Sequence, residues 1–140
     1  MKIRIIIIGK IKSGPHKLIA DDYIKRIKHY APFEILSVKD ENDLIKKLGS
    51  DNFLIVCEER GKDMISKKFA SFIEERQIRS TKYLTFVIGP AQGFTKTIKD
   101  MGNLQLSLSK FTIQHDLALI ILLEQIYRAY TIIKGESYHK

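Results

Sequence analysis

Cysteine is almost absent from this sequence. Cys57 is the only one in 140 residues, which excludes an internal disulfide and a thiolate metal cluster within one chain. It closes the apolar run Phe53-Leu54-Ile55-Val56-Cys57, where a buried, inert thiol is expected. The four histidines, His16, His29, His115 and His139, have no ligand spacing, so no metal site is expected. With three prolines and no low-complexity run, and with aliphatic residues spread along the whole chain, the composition is that of a globular protein and speaks against disorder. Long hydrophobic runs are missing too. The longest, Leu117 to Leu123, is far too short to span a bilayer and is followed at once by Glu124-Gln125. The start, Met1-Lys2-Ile3-Arg4 and then Ile5 to Ile8, has only four apolar residues in a row and no small-residue cleavage site. It reads as a buried first strand rather than a signal peptide, and a cytosolic protein without membrane contact is expected.

What is present is positive charge and alternating structure. Lys and Arg number 24 against 16 Asp and Glu, a formal net charge of +8, which favours a polyanionic partner. Lys2, Lys10, Lys12, Lys17, Lys25, Arg26 and Lys28 concentrate that charge in the first quarter. Short, mostly β-branched or aliphatic runs predict five strands: Ile3 to Ile8, Phe33 to Val38, Phe53 to Cys57, Leu84 to Ile88 and Leu104 to Leu108. Their near-continuous apolar character suits a parallel sheet covered on both faces. Helical spacing predicts helices from Pro15 to Tyr30, Glu41 to Leu48, Ser66 to Arg79, a short one after Phe94 with Thr95 as N-cap, and His115 to Lys134. The strand–helix alternation has no long linker, so one α/β domain over residues 1–140 is expected. Leu117 to Leu123 leaves the last helix without a polar face for two turns. A second subunit is the natural cover, and a homodimer is expected.

In a parallel α/β sheet, ligands sit in the loops after the strand C-termini. Three such loops are Glu58-Glu59-Arg60-Gly61-Lys62, Gly89-Pro90-Ala91-Gln92-Gly93-Phe94, and the segment from Ser107 to His115. None contains Gly-Lys-Ser/Thr or Gly-x-Gly-x-x-Gly, which removes the kinase and dehydrogenase readings.

Taken together the motifs are more specific. The start Met-Lys-Ile-x-Ile-x-x-x-Gly-Lys, the Arg-Gly-Lys loop at Cys57 to Lys62 and Phe-Val-Ile-Gly-x-x-x-Gly-Phe at Phe86 to Phe94 are three of them. Leu-Ser-Leu-Ser-Lys-Phe-Thr at Leu106 to Thr112, Leu-Leu-Glu-Gln-Ile-Tyr-Arg-Ala at Leu122 to Ala129, and the terminal Tyr138-His139-Lys140 complete the set. In these features the chain resembles, over essentially its whole length, the ribosomal RNA large-subunit methyltransferase H family of the SPOUT superfamily. The resemblance implies a parallel α/β sheet with flanking helices and a C-terminal trefoil knot. It also implies a homodimer that binds S-adenosyl-L-methionine and methylates N3 of a pseudouridine in large-subunit (23S) ribosomal RNA on the assembled ribosome. Carried over residue by residue, Cys57, Gly89, Pro90, Leu108, Ser109, Lys110, Phe111, Thr112 and Ile113 would form the donor site. His115, Arg128, Tyr138, His139 and Lys140 would serve substrate and catalysis. His115, His139 and the Tyr138 hydroxyl are alternative acceptors for the N3 proton, and Arg128 either holds RNA or pairs with Glu124 one turn away. A tail this near the chain end is expected to be ordered by the partner subunit or by RNA.

The chain departs from the family pattern at Pro90, where a second glycine is usual, and at Gln114, where proline is usual. Leu119 stands for a common arginine, Ser137 for a proline and Cys57 for a leucine. Pro90 removes a backbone donor. Two alternatives follow: a ribosome-binding homologue that has lost methyl transfer, motivated by Pro90 and Leu119, and a methyltransferase acting on transfer RNA.

Overall fold

The apolar runs form the interior of one parallel sheet. The computed structural model describes all 140 residues, with β1 (Lys2–Ile8), α1 (Pro15–Ile27), β2 (Phe33–Val38), α2 (Glu41–Leu48), β3 (Asn52–Lys62), α3 (Ser66–Ile78), β4 (Tyr83–Ile88), α4 (Lys96–Met101), β5 (Leu104–Leu106) and α5 (His115–Ile133) in chain order. The spatial order is β2-β1-β4-β3-β5, and every pairing is parallel.

Because side chains alternate along a strand, each run serves two cores. Ile3, Ile5, Ile7, Ile55, Leu84, Phe86 and Ile88 pack under α1, α3 and α5. Ile6, Ile8, Leu54, Val56 and Val87 face α2 and α4 on the other side. Helix α5 lies between α1 and α3, and its inner face, including Leu119, Leu122, Leu123, Ile126 and Tyr130, is buried. Truncating one of these leucines to alanine costs about 2–5 kcal/mol by the usual cavity relation.

Arg4 is the one buried charge in β1. Its Nη2 donates to the Lys47 carbonyl at 2.7 Å, its guanidinium lies over the Tyr83 ring at 5.3 Å, and Glu34 stands 3.6 Å from its Nε. These contacts join α2 to the sheet.

Three local expectations change. The third strand does not stop at Cys57 but runs on to Lys62. Both Cys57 and Lys62 are in register with Leu106, so the residues between them arch over the end of β5. Gly61 makes the close approach: a Cβ there would lie 2.7 Å from the carbonyl carbon and oxygen of Gln105. Strand β5 is correspondingly short, ending at Leu106 rather than Leu108, because the Ser107 N–H already donates to the Lys62 carbonyl at 2.9 Å. Thr95 occupies the N-cap position of α4 without capping it; its backbone N–H donates to Glu41 at 2.8 Å and its hydroxyl is turned to the same carboxylate.

Candidate active site

The C-terminal ends of β3 and β4 and the segment after β5 enclose a cavity of about 380 Å³, lined by residues 57–59, 88–94, 111–115 and by Leu108, Ser109, Lys99 and Ala118. That volume falls within the ~300–1,000 Å³ typical of small-molecule sites. Its walls combine apolar side chains (Ile88, Leu108, Ile113 and Ala118) with backbone edges and carboxylates. Ser107 and Ser109 shape the segment after β5 through their hydroxyls: Ser107 donates to the Ser109 carbonyl at 3.0 Å, and the Phe111 N–H donates to Ser109 Oγ at 3.0 Å. The Thr112 hydroxyl donates to Glu59 at 2.8 Å, tying this segment to the β3 arch. Pro90 opens a turn in which its own carbonyl accepts from the Gly93 N–H at 2.8 Å, with Gly93 at φ +81°. His115 begins α5 at the cavity wall. Its Nε2 lies 3.1 Å from the buried Asp116 carboxylate, and neither atom completes a hydrogen bond.

A second constellation stands at the other end of α5. Arg128 donates through Nε to Glu124 at 2.7 Å, reaches the same carboxylate through Nη2 at 2.5 Å, and places Nη1 3.1 Å from His139 Nδ1. Its guanidinium covers the Tyr138 ring at 4.8 Å, and the Tyr138 hydroxyl donates to Glu124 at 3.3 Å. An arginine is always protonated, so its N–H donates to Nδ1 of a neutral His139. That fixes the proton of the ring on Nε2.

A family model described as a predicted SPOUT methyltransferase matches residues 1–139. The ribosomal RNA large subunit methyltransferase H of Coprothermobacter proteolyticus is 42% identical over 140 residues and is matched over the full length of both chains. The chain belongs to this family of SPOUT methyltransferases. Similar proteins of the same name from Carboxydothermus hydrogenoformans and Streptococcus pneumoniae are 36% and 33% identical, again over the whole of both chains. Among solved structures, a probable methylase family protein from Haemophilus influenzae superposes with a TM-score of 0.57 at 13% identity, covering 99% of this chain and 70% of that one. The SpoU methyltransferase AviRb from Streptomyces viridochromogenes, solved in complex with AdoMet, gives 0.50 at 10% identity over 91% of this chain and 57% of that one. These two likenesses concern the fold.

Within this SPOUT chain the sequence-derived residues separate into two groups. Cys57, Gly89, Pro90, Leu108, Ser109, Phe111, Thr112, Ile113 and His115 share the cavity. Lys110 turns away from it and pairs with Asp63 at 3.0 Å. Arg128, Tyr138 and His139 gather elsewhere, and Lys140 is exposed. Thirteen helical steps of ~1.5 Å put His115 and Arg128 roughly 20 Å apart along α5. Within the chain the tail is held by Glu124, Arg128, Tyr127 and Tyr30. Lys99 carries no signal in the sequence, where it is one charge among many, and neither does Asp116; Glu59 stands in the first of the three candidate loops. Glu124 was read only as a helix-pair partner, whereas it holds Arg128 and Tyr138 together.

Protonation follows from these surroundings. Burial pushes the Cys57 thiol up to about 12, which leaves it an inert wall. Burial, and then the bond with Tyr23, raises the Tyr138 phenol to about 12, so at neutral pH it is a donor. Burial also raises Tyr130 to about 12, and the bond to Glu136 does the same for Tyr30. Each group holds its proton more tightly folded than unfolded. The unfolded chain therefore loses protons first as pH rises from about 9 to about 12, and stability falls across that window. Urea unfolding at stepped pH should show this decline. Tyr130→Phe should flatten it and leave stability at pH 7 unchanged or higher, because the buried Tyr130 hydroxyl has no hydrogen-bond partner.

Proposed function

We propose that this chain is an S-adenosylmethionine-dependent methyltransferase of large-subunit ribosomal RNA. On this reading it is one domain over residues 1–140 that works as a cytoplasmic homodimer on assembled ribosomes and methylates N3 of a pseudouridine. The segment 107–114 would be the part threaded through the β3 arch to make the trefoil knot. The observation that carries the reading is the cavity formed by β3, the loop after β4 and the segment after β5 of a SPOUT fold. Relatives over the full length bear the name ribosomal RNA large subunit methyltransferase H, which supports the substrate class.

The residues present fit the donor. The apolar walls, Ile88, Leu108, Ile113 and Ala118, suit the faces of an adenine ring, and Glu59 offers a carboxylate to a cationic ligand. His115 stands at the wall with its Nε2 turned toward Asp116. When bound, S-adenosylmethionine supplies a methyl group activated by its sulfonium. The protein's contribution is to position the base for in-line attack and to take up the N3 proton. Tyr138 remains protonated and donates to Glu124, and the Arg128 N–H occupies His139 Nδ1, so neither is a free acceptor for the N3 proton. His115 is the remaining acceptor, and the buried Asp116 carboxylate 3.1 Å away stabilises the charge that it gains.

The separation along α5 supports the dimer: the tail groups of one copy can meet the cavity only in a second copy. Ile65, Phe111 and Leu117, 67%, 83% and 43% exposed, supply an apolar surface beside the cavity and α5 for such a contact. No helix is long and apolar enough to cross a membrane.

Lys17 and Arg26 are already paired with Asp21 and Asp22, and Lys2 faces Glu34 at 3.5 Å. Lys10 and Lys12 have no such pairing and follow β1, whose Ile7 is in register with Ile88 at the end of β4. Reversing both to glutamate should weaken ribosome binding about tenfold or more at low salt and flatten its salt dependence. Reversing Lys17 should do neither. Calorimetry with S-adenosylmethionine, followed by binding assays with ribosomes and with transfer RNA, tests the proposal as a whole. Micromolar donor binding and a preference for ribosomes are expected. Ribosome binding without donor binding would identify a homologue that has lost methyl transfer.

A further inference from the structure

Residues 134–140, Lys-Gly-Glu-Ser-Tyr-His-Lys, bury little surface of their own, and such termini fray unless they are tied down. The first tie is in the backbone. Gly135 takes φ +70°, its N–H donates to the Ile132 carbonyl at 3.1 Å, and the Glu136 N–H donates to the Thr131 carbonyl at 2.8 Å. This double-bonded glycine reversal ends α5 and turns the chain back along it.

A reversal fixes direction only at its own residues. Four residues further on, the tail would still pivot about Gly135 without a second anchor. That anchor comes from the end of α1, the helix packed beside α5. The Tyr30 hydroxyl donates to the Glu136 carboxylate at 2.7 Å. Tyr30 is itself held rigidly: its backbone N–H donates to Ile27 at 2.8 Å just past α1, and its ring stacks on buried Tyr130, 5.5 Å between centroids at 11°. Beyond the anchor, Tyr138 meets the edge of Tyr127 at 4.7 Å, and His139 meets Arg128.

We infer that Tyr30 and Glu136 are positioning residues, whose hydrogen bond fastens the base of the tail to the end of α1 and so holds Tyr138 and His139 against Arg128. The inference rests on the reading that the tail acts in methyl transfer. Neither residue touches the reacting atoms in this scheme.

Tyr30→Phe keeps the ring and its stack and removes only the donor. In the full-length protein it should lower kcat for methyl transfer to ribosomes about tenfold and leave KM for S-adenosylmethionine within about twofold. Carboxypeptidase should release Lys140, His139 and Tyr138 several times faster than from the parent. Glu136→Ala should behave as Tyr30→Phe does, whereas Glu136→Gln, which keeps an acceptor oxygen, should recover most of both properties. Tyr83→Phe, remote from the tail, is the control and should change neither. Unchanged kcat in Tyr30→Phe overturns the inference, and so does a lower kcat without faster release. If the parent itself transfers no methyl group, the functional reading falls instead, and the release rates alone decide whether the tie exists.

Discussion

Arg128→Ala is expected to lower kcat for methyl transfer at least a hundredfold, about 2.7 kcal/mol of barrier at 1.36 kcal/mol per factor of ten, with donor affinity within about twofold. The guanidinium does three jobs at once. It neutralises Glu124, fixes the His139 tautomer through Nδ1, and covers the Tyr138 ring. Alanine releases all three, leaving Glu124 unpaired and His139 free to rotate. Lysine should restore little, because one ammonium cannot span two acceptors and a ring as a planar fork does. Donor binding should persist because Arg128 is not among the residues that line the cavity. Stability should change by only about 1 kcal/mol, as for a partly exposed ion pair. Equal losses in kcat and in donor affinity would mean that Arg128 supports the fold rather than the reaction.

Gly61→Ala should damage both the fold and the donor site. Its new Cβ would meet the Gln105 carbonyl carbon and oxygen at 2.7 Å and the Leu106 nitrogen at 2.8 Å. These are backbone atoms of the paired strand, so no side chain can swing away. Overpacking of this kind costs about 1–3 kcal/mol. Relief requires the arch to lift from β5, which pulls Glu59 from Thr112 and opens the cavity wall. Affinity for S-adenosylmethionine should fall at least about tenfold, read by calorimetry, alongside a lower urea midpoint. Gly102 makes a useful contrast. Its added Cβ would meet the Val56 side chain at 2.7 Å, and it lies outside the cavity lining. Gly102→Ala should therefore cost stability and leave donor binding intact once folded. Normal donor affinity in Gly61→Ala would contradict the role given to the arch.

Much of this architecture was legible because near-continuous apolar runs have one economical solution. Ile3 to Ile8 can be buried throughout only in a strand covered on both sides, and the observed division, odd residues to one helix layer and even residues to the other, follows directly. Strand ends were harder to read. Glu58 to Lys62 looks like a polar turn, and its extended form depends on pairing with Leu106, more than forty residues away. The cavity residues were legible as a motif set and because strand C-termini are where parallel sheets bind ligands. Lys110 was not separable from its neighbours, since its partner Asp63 lies on a different segment. The ordered tail was least visible. Gly135 signals a helix stop, but Tyr30 and Glu136 are 106 positions apart and carry no pattern that announces their bond.

Cavity and tail are expected to act together in methylating ribosomal RNA. The direct measurement is methyl transfer from labelled S-adenosylmethionine to assembled ribosomes whose target pseudouridine is unmethylated, with nucleoside analysis of the digested RNA. The account predicts label in N3-methylpseudouridine from the large subunit, and none in transfer RNA assayed in parallel. No label in ribosomal RNA, with a close relative active under the same conditions, would contradict it.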